Sequence, residues 1–366
     1  YFKEIARHPE KSVRAFMEET GKKAIGCFPY YTPEEIIYAA GMLPTGLWGG
    51  QTEIKLADKY LQSFCCSIMR ANIEQGMKGE YDFLSAVIIP AYCDTLKCVL
   101  ENWKVAVPHI HLIPMVYPNN RKIRPGIDFL ISEFERVKKE MEGISCREIT
   151  EKDLNDSICL YEDYRKTMRE FVALVNEYPI TFNAATRHLI IKASFFTDKK
   201  VYIIKLKKLM AEMKKKPVEN FKGIKVVITG ILAEPEAFLD AFVENNIAVV
   251  ADDLAQESRQ FRTSLTSGST ALERLAIRMT NQECAMLYDE TKSRGQRIIK
   301  LVKETNADAV IVSMLKFCDP EEFDFPIFKN ELKEAKIPML YLEIEQTMNS
   351  VEQIRTRIQS FAEMLK

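Results

Sequence analysis

Short, uninterrupted runs of apolar residues alternate along the chain with longer segments whose apolar residues recur at helical spacing. One run lies within residues 81–92 and another within residues 307–317, and each is followed by a Cys-Asp pair. Such runs are typical of strands that are buried on both faces of a parallel sheet. Residues 107–112 and 338–342 have the same character. The alternation therefore predicts an α/β fold with parallel sheets.

The two halves of the chain repeat one pattern at a constant offset. When the sequence is shifted by 202 positions, Gly21, Pro33 and Glu34 align with a glycine, a proline and a glutamate of the second half. Each copy indicates a strand, a loop, a helix with Pro-Glu in its first turn, and a second strand near residues 42–48 or 247–251. We therefore predict two doubly wound, flavodoxin-like parallel-sheet domains that are related by internal duplication.

The segment between the repeats has a different character. Thr150 and Asp153 have the spacing of a helix capping box, and the residues that follow carry helical periodicity and few glycines. This pattern predicts a helical insert at residues 150–220. The N-terminal α/β domain would then occupy residues 1–149 and the C-terminal α/β domain residues 221–366.

Composition and charge exclude several classes of function. The 366 residues contain 51 Lys and Arg against 52 Asp and Glu, which argues against a nucleic-acid-binding protein because such proteins carry a basic excess. No apolar run reaches the roughly 18 residues that a membrane span needs. The first residues lack the apolar core of a secretory signal, and nine cysteines form no even disulfide framework. We therefore expect a cytoplasmic protein with reduced thiols.

Three cysteines are candidate metal ligands. Cys93 and Cys318 follow equivalent strands of the two halves, at the carboxyl edge of the predicted sheets, and each precedes an aspartate able to cap the next helix. Cys66 lies at a predicted helix start, where the helix dipole favours a thiolate. Three thiolates from separate segments can bind an iron–sulfur cluster and leave one iron without a protein ligand. Because no C-x-x-C clamp is present, three merely buried cysteines remain the alternative.

The chain resembles the 2-hydroxyacyl-CoA dehydratase family from Gly21 to Lys366. The resemblance is carried by cysteine-centred and charged motifs that occur in the family's order. These are Gly41-Met-Leu-Pro44, Cys66-Ser-Ile-Met-Arg70, Cys93-Asp94, Glu101-Asn-Trp103, Asp252-Asp253-Leu, Ser258-Arg259, Lys316-Phe-Cys318-Asp319-Pro320, Arg355-Thr-Arg357 and Phe361-Ala-Glu363.

The resemblance implies a [4Fe-4S] cluster bound by three cysteines, which by position are Cys66, Cys93 and Cys318. Cys65 is the competing first ligand, but the spacing from Cys66 to Arg70 fits the family better. The other cysteines are interpreted as packed, core or surface thiols: Cys27, Cys98, Cys146, Cys159 and Cys284.

The resemblance also implies a reaction and its partners. The family removes water from (R)-2-hydroxyacyl-CoA to give (E)-2-enoyl-CoA, through a ketyl radical started by one-electron transfer from the cluster. It works as a heterodimer of homologous α and β subunits, and a separate ATP-hydrolysing iron–sulfur activator protein supplies the first electron. This chain contains no G-x-x-x-x-G-K-[ST] phosphate loop, so ATP would be bound elsewhere.

Loop residues suggest which subunit the chain is. The loops that contain Tyr30 and Tyr31, and Gly49 and Gly50, are expected to face the cluster pocket. The two tyrosines would crowd an open iron, so the resemblance favours the β subunit over the substrate-binding α subunit. Glu53 is a candidate acid or base, with a solvated glutamate at a helix start as the alternative interpretation.

Other interpretations remain open at this point. His109 and His111 alternate along the run at residues 107–112, which predicts strand residues near the subunit interface. Within the family, the chain could instead belong to an aryl-CoA reductase of the benzoyl-CoA type or to a double-cubane cluster protein. Outside it, the alternative is a two-lobed protein that binds a small ligand and no cluster.

Overall fold

Two parallel β-sheets form the centre of the molecule. The computed structural model describes residues 1–28, 31–282, 290–348 and 350–366. Its strands are β1 Ala24–Cys27, β2 Leu43–Gly46, β3 Leu84–Ala91, β4 Leu112–Val116, β5 Ile224–Gly230, β6 Ile247–Leu254, β7 Ala309–Leu315 and β8 Met339–Ile344. The two four-stranded sheets have the orders β2-β1-β3-β4 and β6-β5-β7-β8, with every pairing parallel. The predicted α/β fold with two flavodoxin-like sheets of equal topology is confirmed.

Helices cover the sheets and fill the space between them. They are α1 Phe2–Arg7, α2 Pro9–Thr20, α3 Glu34–Ala39, α4 Ser67–Met77, α5 Asp94–Ala106, α6 Arg124–Ser145, α7 Glu151–Val175, α8 Ala184–Ala193, α9 Lys199–Met213, α10 Glu236–Glu244, α11 Ser258–Phe261, α12 Ala271–Thr280, α13 Arg294–Thr305, α14 Asp319–Glu334 and α15 Glu352–Met364. No helix among the described residues is both long enough and apolar enough to cross a membrane.

The strands form where the sequence is continuously apolar. Every residue of β7 is buried, and β3 is buried at all but two positions, as expected for inner strands that are covered on both faces. The repeated Pro-Glu pairs lie at helix starts, but Pro33 and Pro235 each precede the first helical residue instead of occupying it. Glu34 and Glu236 are therefore the first residues of α3 and α10, where a carboxylate interacts favourably with the helix dipole.

The segment between the sheets is helical. The predicted capping box is present: the backbone N–H of Asp153 donates to Thr150 Oγ1 at 3.1 Å, and the N–H of Thr150 donates to Asp153 Oδ2 at 3.0 Å. Helix α7 begins there and packs against α3 and α9. Helix α8 contacts α1 from the first half of the chain and α10 from the second. The middle helices thus connect the two sheets.

The predicted strand at residues 107–112 is wrong. Helix α5 continues to Ala106, Val107 still donates its N–H to Trp103 O, and β4 begins only at Leu112. His109 and His111 therefore lie in the connection before the strand, where both are exposed. His109 Nε2 lies 2.8 Å from Asp82 Oδ1, and His111 pairs with the carboxylate of Glu140. Buried Val107 and Ile110 account for the apolar pattern without a strand.

Candidate metal centre

Three cysteines occupy the same local position in the fold. Cys66, Cys93 and Cys318 are each the residue immediately before a helix, respectively α4, α5 and α14. Cys93 follows β3 and Cys318 follows β7, which occupy the same place in the two sheet orders. The predicted aspartate caps are corrected here, since Asp94 and Asp319 are the first helical residues and the cysteines hold the cap position. The positive ends of three helices therefore lie at these sulfurs.

The three thiols lie within electrostatic range of one another. Burial raises the pKa of the Cys66 thiol to about 12, and the neighbouring Cys93 contributes in the same direction. Burial likewise raises the pKa of Cys318 well above its usual range, with further contributions from Glu321, Cys66 and Cys93. In the chain alone, burial outweighs the helix dipole, contrary to the thiolate that the helix start predicts for Cys66. A bound cationic metal would reverse this balance because coordination removes the thiol proton.

Neighbouring Cys65 and Cys66 contribute to different cores. Cys65 packs in the core of the first half, and its pKa is raised by burial and then by Cys98 on α5. Cys66 packs in a core of the second half that also contains Cys318. The structure therefore brings Cys66, and not Cys65, to the same core as Cys318.

The remaining cysteines lie elsewhere. Cys27 is buried at the end of β1, whereas Cys98, Cys146 and Cys159 are exposed. Cys284 lies outside the described residues.

The donor set has the chemistry of a cluster site. Among the residues that the structure describes, no three His, Cys, Asp or Glu side chains are arranged to bind a single metal ion. A [4Fe-4S] cluster has a different requirement, because each cysteine binds a different iron and the sulfurs stay further apart. Three soft sulfur ligands also favour iron–sulfur clusters over Mg²⁺ or Ca²⁺. The residues present therefore fit a three-cysteine cluster.

Gln346, which sequence reasoning missed, joins the loops around Cys66. Its N–H donates to Ser67 Oγ at 2.9 Å, and its Nε2 donates to Trp48 O at 2.9 Å. Gly49 has a φ of +74°, and a Cβ there would lie 2.5 Å from Gln346 Oε1, so only glycine fits. The position of Gln346 just after β8, at the carboxyl edge of the second sheet, is the signal that could have identified it.

The predicted pocket loops are partly described. Tyr31 is buried, adopts a φ of +61°, and packs with ring-centroid distances of 4.8 Å to Tyr92 and 6.1 Å to Tyr117. Tyr117 also donates a hydrogen bond to the Tyr31 carbonyl. Because Tyr92 directly precedes Cys93, this aromatic cluster supports the start of α5. Tyr30 lies outside the described residues.

Gly49 and Gly50 line a cleft of about 510 Å³ between the first half of the chain and α8. Trp48, His188 and Glu234 also line it. Glu53 does not: its side chain is 72% exposed and pairs with Lys55 at 2.9 Å in the loop before a short 3-10 helix at Ala57–Lys59. Glu53 is a solvated residue, but it lies in a loop and not at the start of a helix.

Glu234 binds both halves of the chain to α8. Its carboxylate accepts from Trp48 Nε1 at 2.9 Å and from Gln346 Nε2 at 2.8 Å, and it also pairs with Lys192 and His188 of α8. Burial alone would raise its pKa, but Lys192 and His188 outweigh burial and hold the pKa well below its usual range. Glu234 is therefore ionised and shared by three parts of the fold.

His188 provides a pH-dependent test of this network. Its Nδ1 lies 2.8 Å from Glu257 Oε1 and its Nε2 lies 3.2 Å from Glu234 Oε1. Burial lowers the pKa of His188, but the two carboxylates outweigh burial and raise it overall, even though Arg187 and Lys192 also pair with them. Protonated His188 then stabilises the fold fully below the unfolded pKa of about 6.5, and the stabilisation is lost as pH rises through the folded pKa.

We therefore expect the stability advantage of the wild type over His188→Gln to be largest below about pH 6.5 and to shrink at higher pH. Urea unfolding of both proteins at a series of pH values between 6 and 9 measures this difference. An advantage that stays constant across the series would show that folding does not shift the pKa of His188, and one that rises with pH would show that the folded chain holds His188 neutral.

Known proteins resemble this chain over its whole length. The sequence profile of the family described as 2-hydroxyglutaryl-CoA dehydratase, D-component, matches residues 29–365. The chain is 44% identical to the (R)-phenyllactyl-CoA dehydratase beta subunit of Clostridium sporogenes, over 100% of this chain and 97% of that protein. It is 43% identical to the lactoyl-CoA dehydratase subunit beta of Anaerotignum propionicum, over 99% and 97%. It is 36% identical to the (R)-2-hydroxyglutaryl-CoA dehydratase subunit beta of Acidaminococcus fermentans, over 100% and 98%.

Proposed function

This chain belongs to the 2-hydroxyglutaryl-CoA dehydratase D-component family, and we propose that it is the β subunit of an oxygen-sensitive (R)-2-hydroxyacyl-CoA dehydratase. The family resemblance inferred from the sequence motifs is confirmed by the match across the chain. The observation that carries the proposal is the set of three cysteines that hold cap positions of three helices in a chain of this family. The acyl groups named for the relatives differ, so the substrate is proposed as a class.

Cys66, Cys93 and Cys318 would bind the [4Fe-4S] cluster in this proposal. When bound, the cluster would supply one electron that converts the substrate thioester to a ketyl radical and would recover it later, so that dehydration involves no net redox change. The chain's own part is to hold three sulfurs at helix starts and to keep Cys66 and Cys318 away from water. The electropositive helix ends stabilise the thiolate charge that coordination requires.

The chain would act with two protein partners in the cytoplasm. A homologous α subunit would complete a heterodimer and present the 2-hydroxyacyl-CoA, since the relatives are named as beta subunits. An ATP-dependent iron–sulfur activator would supply the first electron and would bind the ATP, for which this sequence has no phosphate-binding loop. The proposed domains remain residues 1–149, 150–220 and 221–366.

Oxygen-free purification with the α subunit tests the proposal. We expect about four irons and four sulfides per chain, with bleaching in air. With activator and ATP, (R)-phenyllactyl-CoA or (R)-lactoyl-CoA should be dehydrated without a stoichiometric electron donor. A requirement for stoichiometric reductant would favour an aryl-CoA reductase. Iron-free protein from the oxygen-free preparation would favour a small-ligand binding protein.

A further inference from the structure

A buried network of charged side chains contacts the first turn of α14, the helix that follows Cys318. Asp253, at the carboxyl end of β6, is fully buried and contacts three arginines. Arg259 Nη2 lies 2.9 Å from Asp253 Oδ2, Arg294 Nε lies 3.0 Å from the same oxygen, and Arg262 pairs with Oδ1. These cations outweigh burial and hold the pKa of Asp253 well below its usual range. Asp253 and Arg259 come from motifs that carry the family resemblance, yet the dehydration reaction assigns them no role.

The same arginines also hold a residue of the Cys318 helix. Glu321 is the third residue of α14, and its side chain is only 1% exposed. Its Oε1 lies 3.0 Å from Arg259 Nη1, and its Oε2 pairs with Arg294 Nη2. Arg259 and Arg294 therefore bridge β6 to the amino end of α14. The first turn of this helix, which determines where Cys318 lies, is fixed by buried ion pairs.

Glu321 is the charged member of the network that acts most directly on Cys318. Cys318 holds the cap position of α14, and the buried carboxylate of Glu321 belongs to the first turn of the same helix, so its negative charge opposes further negative charge at that sulfur. Among the described residues, Arg259, Arg262 and Arg294 face the carboxylates of Asp253, Glu321 and Asp324, and Lys292 also pairs with Asp324.

We propose that Asp253, Arg259, Arg294 and Glu321 are positioning residues that fix the start of α14 and set the reduction potential of the cluster bound by Cys318. This inference rests on the proposed function, since it requires the cluster. Reduction adds negative charge to the cluster, so a fixed carboxylate beside one of its ligands makes the potential more negative. Without that carboxylate, Arg259 and Arg294 would keep their positive charge, and the cluster would be easier to reduce.

Glu321→Gln tests the inference, because it removes the charge and keeps the size of the side chain. Glu322→Gln is the matched control, since Glu322 is the next residue of the same helix but is exposed. Each heterodimer would be titrated anaerobically with dithionite and redox mediators, and cluster reduction would be followed by electron paramagnetic resonance. We expect full iron content in both variants and a clearly more positive potential only in Glu321→Gln. An equal shift in both variants, or a negative shift in Glu321→Gln, would overturn the inference.

Asp253→Asn is the second variant, used if Glu321→Gln loses iron. It leaves Glu321 in place and releases the arginines from one carboxylate, so a smaller positive shift is expected. An unchanged potential in Asp253→Asn would overturn the inference. Loss of iron in both Glu321→Gln and Asp253→Asn, while Glu322→Gln keeps its iron, would also overturn it, because the network would then have only a structural role. Absence of a cluster from the wild-type heterodimer would instead contradict the proposed function.

Discussion

Replacing Cys93 or Cys318 with alanine is expected to remove most of the iron, from about four per chain to about one or fewer. Each substitution removes one of three proposed sulfur ligands: Cys318 packs in the core that contains Cys66, whereas Cys93 packs against the core of the first half. Dehydratase activity should fall by on the order of 100-fold or more, since even changes outside the ligand set cost 10- to 100-fold at metal sites. Iron and sulfide analysis of oxygen-free preparations measures the effect.

Cys159→Ala and Cys65→Ala are the controls for this result. Cys159 is exposed on α7, and Cys65 packs in the core of the first half beside Cys98. Both variants should keep their iron. Equal iron in the Cys93, Cys318 and Cys159 variants would contradict the ligand assignment, and loss of iron in Cys65→Ala would move the first ligand to that residue.

Replacing Glu234 with alanine is expected to lower the free energy of unfolding by about 3–5 kcal/mol. The change leaves Lys192 and His188 buried without the carboxylate that they share, and it removes the acceptor of Trp48 and Gln346. Removing one partner of a buried ion pair is costly because the remaining charge stays out of water. Urea denaturation measures the loss.

Glu236→Ala is the matched control, two positions further along the chain. Its carboxylate pairs with Arg7, but both side chains are substantially exposed, at 34% and 51%. We expect a loss below about 1 kcal/mol, as is typical of exposed ion pairs. If both variants lost the same amount, the buried network around Glu234 would contribute no more than a surface pair.

Strands buried on both faces were the easiest elements to predict. The run at residues 81–92 contains β3 and the run at residues 307–317 contains β7, because an inner parallel strand needs apolar residues at every position. Strand β4 at the sheet edge was misplaced. Its alternate residues Pro114 and Val116 are exposed, whereas Val107 and Ile110 before the strand are buried, so the hydrophobic pattern did not show where the strand begins.

The candidate site was predictable in part for the same reason. Cys93 and Cys318 follow the inner strands, so their places at the carboxyl edge could be inferred from strand position alone. The choice between Cys65 and Cys66 depends on the turn before α4, which local pattern does not determine. Gln346 contacts Ser67, which is 279 positions away, and the partners of Glu234 are 42 to 186 positions away, so no periodicity signals such pairing.

Cys66 belongs to the first half of the chain by sequence but to a core of the second half by packing. A newly synthesised chain therefore cannot gather all three sulfurs until its last third has been made and both halves have docked. The proposed cluster could then be inserted only into completed chains, and incomplete or misdocked chains would carry no cluster. The proposed oxygen-sensitive cluster would in this way be withheld from chains that cannot yet shield it.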